Sequence, residues 1–366
     1  MTITSNPSAT GAAAASAAPA TPAAPAPPAT NHTGHAMAAY KGAPSTLCAG
    51  CGHDSITSQL IRSLFEMGVD PYGVAKMSGI GCSSKTTTYF LGQSHGINGV
   101  HGRMAAMATG AHLANHKLLL VGVSGDGDTA SIGLGHFLHM LRRNVPMIYV
   151  LENNGVYGLT KGQFSATADK GSAHKKGFAN QMPPIDCCAL AIEMGCDFVA
   201  RSFSGDVKQL SALLKAAVAH RGTAFLDVVS PCVTFNNHEG STKSLKHARA
   251  HEEPLHELGF VPHFNPVHAD YEPGTTQEVP LSDGSVLVLK KLAREYDPAD
   301  RDAAMALLHE ASDRREFLTG LIYHDADPTL AFGQQLNLVD MPLAHLPETQ
   351  TRPGPDVMRR IMDALR

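Results

Sequence analysis

The apolar positions follow two alternating rhythms. In "ITSQLIRSLFEMG", Ile56, Leu60, Ile61, Leu64 and Phe65 recur at the 3.6-residue period of an amphipathic helix, which Gly68 ends. "GRMAAMATGAHLAN", "TASIGLGHFLHMLRRN", "CCALAIEMG" and "DVKQLSALLKAAVAHRG" also read as helices. Between them stand short apolar runs: "YGVAKMSGIGC", "KLLLVGVSGDGD", "VPMIYVLENN", "FVARSF" and "TAFLDVVSP". A strand apolar at successive positions is buried on both faces. The alternation therefore predicts an α/β domain over 41–235, with a mostly parallel sheet and helices on both faces. From 236 the pattern weakens, apart from one helix expected near Asp297-Pro298, where Pro suits the first turn. We read 236–366 as an extension wrapped on the core or on a partner.

Composition changes the picture at the N-terminus. Residues 1–40 contain no Asp, Glu, Lys or Arg, and 11–30 reads "GAAAASAAPATPAAPAPPAT". Such a segment buries too little apolar surface to offset its ordering entropy, so a disordered Ala/Pro-rich tail is expected over 1–40. It lacks the charged region and Leu-rich core of a secretory signal. The net charge of −4 gives no basic excess for nucleic acid, and no run of 18 apolar residues predicts a membrane helix. Seven Cys do not make a disulfide scaffold in a chain of 366 residues, which favours a reducing cytoplasm.

Candidate chemistry gathers where the strands are expected to end. Gly125-Asp126-Gly127 follows one buried strand and Asn153-Asn154 the next, with 25 residues between Gly127 and Asn153. Parallel strands end at the same rim, where open α/β folds bind ligands. One carboxylate, one amide oxygen and free carbonyls suit Mg²⁺ with a diphosphate completing its shell. Flanking glycines let backbone N–H groups approach phosphate. Asp128 lies along the same stretch, or else caps the helix that follows. In "GCSSKTTT" and "GVHGR", Lys85, His101 and Arg103 offer donors that suit a carboxylate or phosphate. Leu159 and Thr160, in a glycine-punctuated loop after the Asn pair, read as pocket lining. Cys48 and Cys51 form a C-x-x-C pair, which fits a redox dithiol, half a zinc site, half an iron–sulfur site, or a plain turn.

Taken in order, "GIGCSSK", "HGR", "GDGD" and "YGLTKGQ" closely resemble the β subunit of 2-oxoacid:ferredoxin oxidoreductases, over about residues 44–240. That resemblance implies a thiamine diphosphate-binding fold of the PP type. By matched position it makes Asp126, Asn154 and the carbonyl of Val156 the Mg²⁺ ligands. Cys82, Ser83, Gly125, Gly127, Asp128, Leu159 and Thr160 would lie against the cofactor. It makes Cys48, Cys51, Cys82 and Cys232 the ligands of a [4Fe–4S] cluster, which takes four thiolates. Zinc would accept the same four, but single-electron oxidation at a thiamine site needs a one-electron acceptor nearby. Lys85 is implicated in binding a distal substrate carboxylate, with Arg103 and Leu159 beside the substrate. His101 would touch the cofactor or the reacting carbonyl.

The implied reaction is oxidative decarboxylation of a 2-oxoacid with coenzyme A and ferredoxin. The form "YGLTKGQ" resembles that of 2-oxoglutarate or broad 2-oxoacid enzymes rather than dedicated pyruvate ones, which points to 2-oxoglutarate, with pyruvate or broad 2-oxoacid specificity as the alternative. The activating carboxylate of such enzymes comes from an α subunit, an obligate partner here. Two other readings stand beside this one. A thiamine enzyme without ferredoxin leaves the cysteines unexplained, and a zinc-stabilised binding module would make 125–154 a phosphate site.

Overall fold

The apolar runs become the strands of one eight-stranded sheet. In the structure, a computed structural model, residues 30–366 are described except 174–176, 239–240, 262–275, 281–285, 292–295 and 326–328. The strands are β1 (Val74–Ser78), β2 (His95–Asn98), β3 (Leu119–Gly125), β4 (Met147–Asn153), β5 (Phe198–Phe203), β6 (Thr223–Val229), β7 (Glu252–Pro254) and β8 (Phe317–His324). Their order across the sheet is β2-β1-β3-β4-β6-β5-β8-β7. The first six are mutually parallel, whereas β8 runs antiparallel to β5 and β7 parallel to β8.

Successive residues of a strand point to opposite faces, so each apolar run feeds two cores. Val121, Val123, Ile148 and Val150 pack against α1 (Gly52–Glu66) and α5 (Val207–Ala219). Leu120, Tyr149 and Leu151 point the other way. They meet α2 (Met104–Ala114), α3 (Leu134–Arg142), α4 (Cys187–Glu193) and α6 (Arg301–Arg314). Cys187, Cys188 and Cys196 lie fully buried in this second core as small apolar side chains. None of the helices among the described residues is long and apolar enough to cross a membrane.

Three boundaries differ from expectation. The tail expected over 1–40 lies outside the described residues only for 1–29, and 30–40 is packed. Tyr40 is fully buried, with its hydroxyl donating to the Val69 carbonyl and accepting from Asn31, which also reaches Phe65. A single aromatic anchor outweighs the bland composition around it. The helix expected from Thr129 to Asn144 is split at Gly133. A wide π-turn over Gly127–Ile132 precedes α3, because the Gly133 amide bonds Asp128 while its Cα lies against the Gly102 carbonyl. The C-terminal part does more than wrap the core. It supplies α6 and threads β7 and β8 into the sheet itself.

Candidate active site

Strand register builds the site. Gly125 pairs with Glu152 across β3–β4, and Asn153 with Val229 across β4–β6. The segments that follow β1, β3, β4 and β6 therefore emerge at one rim, bringing Gly79–Cys82, Asp126–Asp128, Asn154–Thr160 and Ser230–Cys232 together. A cavity there is lined by His53, Ile80–Ser83, His101, Gly125–Asp128, Glu152, Asn154 and Val156–Thr160.

The corner expected to hold a metal ion is closely braced by hydrogen bonds. Asp126 is 1% exposed. Its Oδ2 accepts hydrogen bonds from the Gly155 amide at 3.0 Å, the Thr167 hydroxyl at 2.6 Å and the Ser165 hydroxyl. Its Oδ1 accepts only the Asn154 amide, at 3.3 Å, leaving lone-pair capacity for a cation. Burial raises the carboxyl above the usual range, with the Ser165 and Thr167 hydroxyls pulling the other way. A bound cation would favour the charged form further. The Asn154 side-chain oxygen accepts the Val156 amide at 3.1 Å, and its carbonyl accepts the Asn236 amide group at 2.7 Å. The residues present thus fit Mg²⁺ and a diphosphate.

Asp128 lines the cavity beside Gly127. Its carboxylate accepts the amides of Ile80 (3.2 Å) and Gly102 (2.8 Å) and the Ser124 hydroxyl (2.9 Å), and caps no helix. An acceptor committed to three donors ties the loops after β1 and β2 to the end of β3. Gly79 permits this clamp, since a Cβ there would meet the Asp128 carboxylate at 1.7 Å.

The four expected thiols converge on one corner of the rim. Cys48 is exposed, and Cys51, Cys82 and Cys232 are half-buried. A Cβ on Gly158 would fall 3.3 Å from Cys82 Sγ and 3.8 Å from Cys232 Sγ, so both sulfurs face that glycine. The Thr234 hydroxyl points at Cys48 Sγ from 3.7 Å. Burial pushes the Cys51 thiol up to about 12 and raises Cys82, with the other thiols adding to the repulsion. Among the described residues no three His, Cys, Asp or Glu close around a single metal ion. Two sulfurs facing one glycine, with the Cys48–Cys51 turn beside them, form a thiol set whose chemistry fits an inorganic group larger than a single metal ion.

The remaining expected residues divide. His101, Leu159 and Thr160 line the cavity mouth, with Leu159 52% exposed. Lys85 ends the turn after Cys82, and Arg103 bonds the Gly102 carbonyl; neither lines the cavity. Sequence reasoning missed His53, Glu152 and Tyr157 in the cavity wall, and Ser165, Thr167 and Asn236 behind the metal corner. A charged Glu152 within an otherwise apolar strand was a legible anomaly; the hydroxyls carried no signal.

Known proteins share this arrangement. Residues 79–228 match the model of the C-terminal TPP-binding domain of thiamine pyrophosphate enzymes. A 2-oxoacid:ferredoxin oxidoreductase β subunit from Sulfolobus is 40% identical over 232 residues, covering 63% of this chain and 74% of that protein. The 2-oxoglutarate synthase subunit KorB of Methanocaldococcus jannaschii is 35% identical, covering 52% of this chain and 71% of its own. A solved 2-oxoglutarate:ferredoxin oxidoreductase from Magnetococcus marinus, with 2-oxoglutarate, coenzyme A and succinyl-CoA bound, superposes with a TM-score of 0.69 at 30% identity. The match covers 90% of this chain and 96% of that one. With the thiamine pyrophosphate domain model matching the strands and turns that form the rim, and the likeness running through most of both chains, this protein belongs to the β subunits of the 2-oxoacid:ferredoxin oxidoreductases.

Proposed function

We propose that this β subunit, joined to an α subunit, oxidatively decarboxylates 2-oxoglutarate with coenzyme A, yielding succinyl-CoA, CO₂ and reduced ferredoxin. The observation that carries the reading is the adjacency of the two corners: Cys82 and Asp126 line one cavity. The substrate follows the relatives named for 2-oxoglutarate and the neighbour that binds it.

Asp126, through Oδ1, would hold Mg²⁺ with Asn154 and the Val156 carbonyl, and Cys48, Cys51, Cys82 and Cys232 would hold a [4Fe–4S] cluster. Thiamine diphosphate supplies an electron sink for the carbon that loses CO₂, and the cluster a one-electron acceptor. The chain's own residues do the positioning. Ser165, Thr167 and the Gly155 amide fix the Asp126 carboxylate, so no reorganisation is needed when the cation binds. Gly125, Gly127 and Ser83 line the floor. Leu159 and Thr160 exclude water at the mouth. His101 donates a hydrogen bond to the reacting carbonyl, and Lys85 and Arg103 attract the distal carboxylate as the α subunit closes over them. Seven free cysteines favour the reducing cytoplasm.

Anaerobic purification with the α subunit tests this reading. A brown protein containing iron and sulfide, retaining Mg²⁺ and thiamine diphosphate, is expected. A colourless protein with stoichiometric zinc would sink the redox assignment. Asp126→Ala should lower thiamine diphosphate retention at least 100-fold, and unchanged retention would remove Asp126 from the metal site.

A further inference from the structure

Glu152 is fully buried near the end of β4, in a strand whose other members from Met147 to Leu151 are apolar or aromatic. Among the described residues no lysine or arginine pairs with it. Instead the Thr86 hydroxyl donates to it, at 2.9 Å from Oε1 and 3.2 Å from Oε2, and His53 Nδ1 stands 3.5 Å from Oε2. His53 Nδ1 also lies 2.6 Å from the Ser230 hydroxyl, and the Ser230 amide donates to the Asn153 carbonyl at 2.8 Å. A buried carboxyl without a cation costs several kcal/mol, and a leucine here would fold more cheaply. Its place in the strand therefore serves something other than stability.

The partners show what. His53 lies two residues after Cys51, Thr86 four after Cys82, and Ser230 two before Cys232. Glu152 itself lies two before Asn154. One small polar network thus touches all three segments that carry the four cysteines, and the turn that carries Asn154. Gly52, beside Cys51, allows it: a Cβ there would lie 2.5 Å from the Ser230 hydroxyl.

We propose that Glu152 is a positioning residue that locks the three cysteine turns to the end of β4, fixing where the iron–sulfur group stands relative to the thiamine site. This rests on the reading of the four thiols as cluster ligands. Thr86 and His53 act through the same joint, and neither needs to touch the substrate.

The test uses the complete αβ enzyme, purified anaerobically, with Glu152→Leu and Glu152→Gln. Iron and sulfide per chain, the EPR spectrum and midpoint potential of the reduced cluster, and thiamine diphosphate retention are measured beside the melting temperature. Glu152→Leu should fold and keep thiamine diphosphate. It should lose at least half its iron, or show altered g-values and a shifted potential. Glu152→Gln, which keeps an acceptor for the Thr86 hydroxyl and a polar group beside His53, should restore both. Wild-type iron content, spectrum and potential in Glu152→Leu would overturn the proposal. If that variant fails to fold, Thr86→Val decides, since it frees only the Cys82 turn: an unchanged spectrum there is equally fatal. Wild-type enzyme lacking iron altogether would instead refute the functional reading beneath it.

Discussion

The two corners of the site are made differently. At the metal corner, Asp126 and Asn154 are buried and held by backbone amides, two hydroxyls and the Asn236 side chain. At the thiol corner, one cysteine is exposed and three are half-buried, and the contacts to their sulfurs are few and long. The first corner is shaped by the protein. The second would be drawn together by the proposed inorganic group, as metal binding and folding are often coupled. Glu152 and His53 stand where the two meet.

The largest effect should come from Cys82→Ser, because Cys82 lines the shared cavity and its loss opens the cradle on the thiamine side. Iron should fall at least tenfold and ferredoxin reduction to background, while Mg²⁺-thiamine diphosphate retention changes less than threefold. Loss of both cofactors together would erase the distinction between the corners. Hydrogen exchange on protein stripped of iron is the next probe. The amides of Cys48–Cys51 and Cys232–Asn236 should exchange at least tenfold faster than in the loaded protein, while those of Asn154 and Gly155 stay protected. Equal slowing in both would show a thiol corner as preformed as the other.

Thr167→Val is a finer cut. It removes one hydroxyl from Asp126 and from Asn153, and support of this kind is worth about 10- to 100-fold in metal affinity. Titration of Mg²⁺ at fixed thiamine diphosphate checks it, with cluster content unchanged. The smallest effect belongs to a position outside both corners. His112 is 4% exposed with no partner for Nε2, and burial lowers its pKa to about 4. Neutral when folded, it takes up a proton on unfolding below about pH 6.5, so stability falls as pH drops from there toward 4. His112→Leu should recover about 2 kcal/mol of the loss between pH 7 and pH 5, read from denaturant midpoints. No recovery would locate the acid sensitivity elsewhere.

The same contrast governs what could be read from sequence. Strand ends were legible because Leu118–Val123 and Pro146–Leu151 are apolar runs that stop at Gly-Asp and Asn-Asn, and local rules decide both. Asp126 and Asn154 stand just past those two strand ends. Ser165, Thr167 and Asn236 were not legible, since a hydroxyl or amide in a loop carries no mark of what it will face across the fold. The clamp made by Asp128 was not legible for the same reason: its donors come from Ile80 and Gly102, far along the chain. The edge strand β7, Glu252–Pro254, carries no apolar run, and the apolar run of β8, Phe317–His324, follows polar and proline-bearing stretches that gave no sign of a return to the sheet.

That late addition has a consequence for synthesis. The outer edge of β5 stays unpaired until Phe317–His324 has been made, and only then does an antiparallel strand cover it. A nascent chain carrying the whole cofactor rim thus displays a bare hydrogen-bonding edge for the length of its C-terminal part, which is the surface through which chains mispair. Truncations that spare every cofactor ligand but remove β8 should therefore aggregate rather than yield a smaller working subunit.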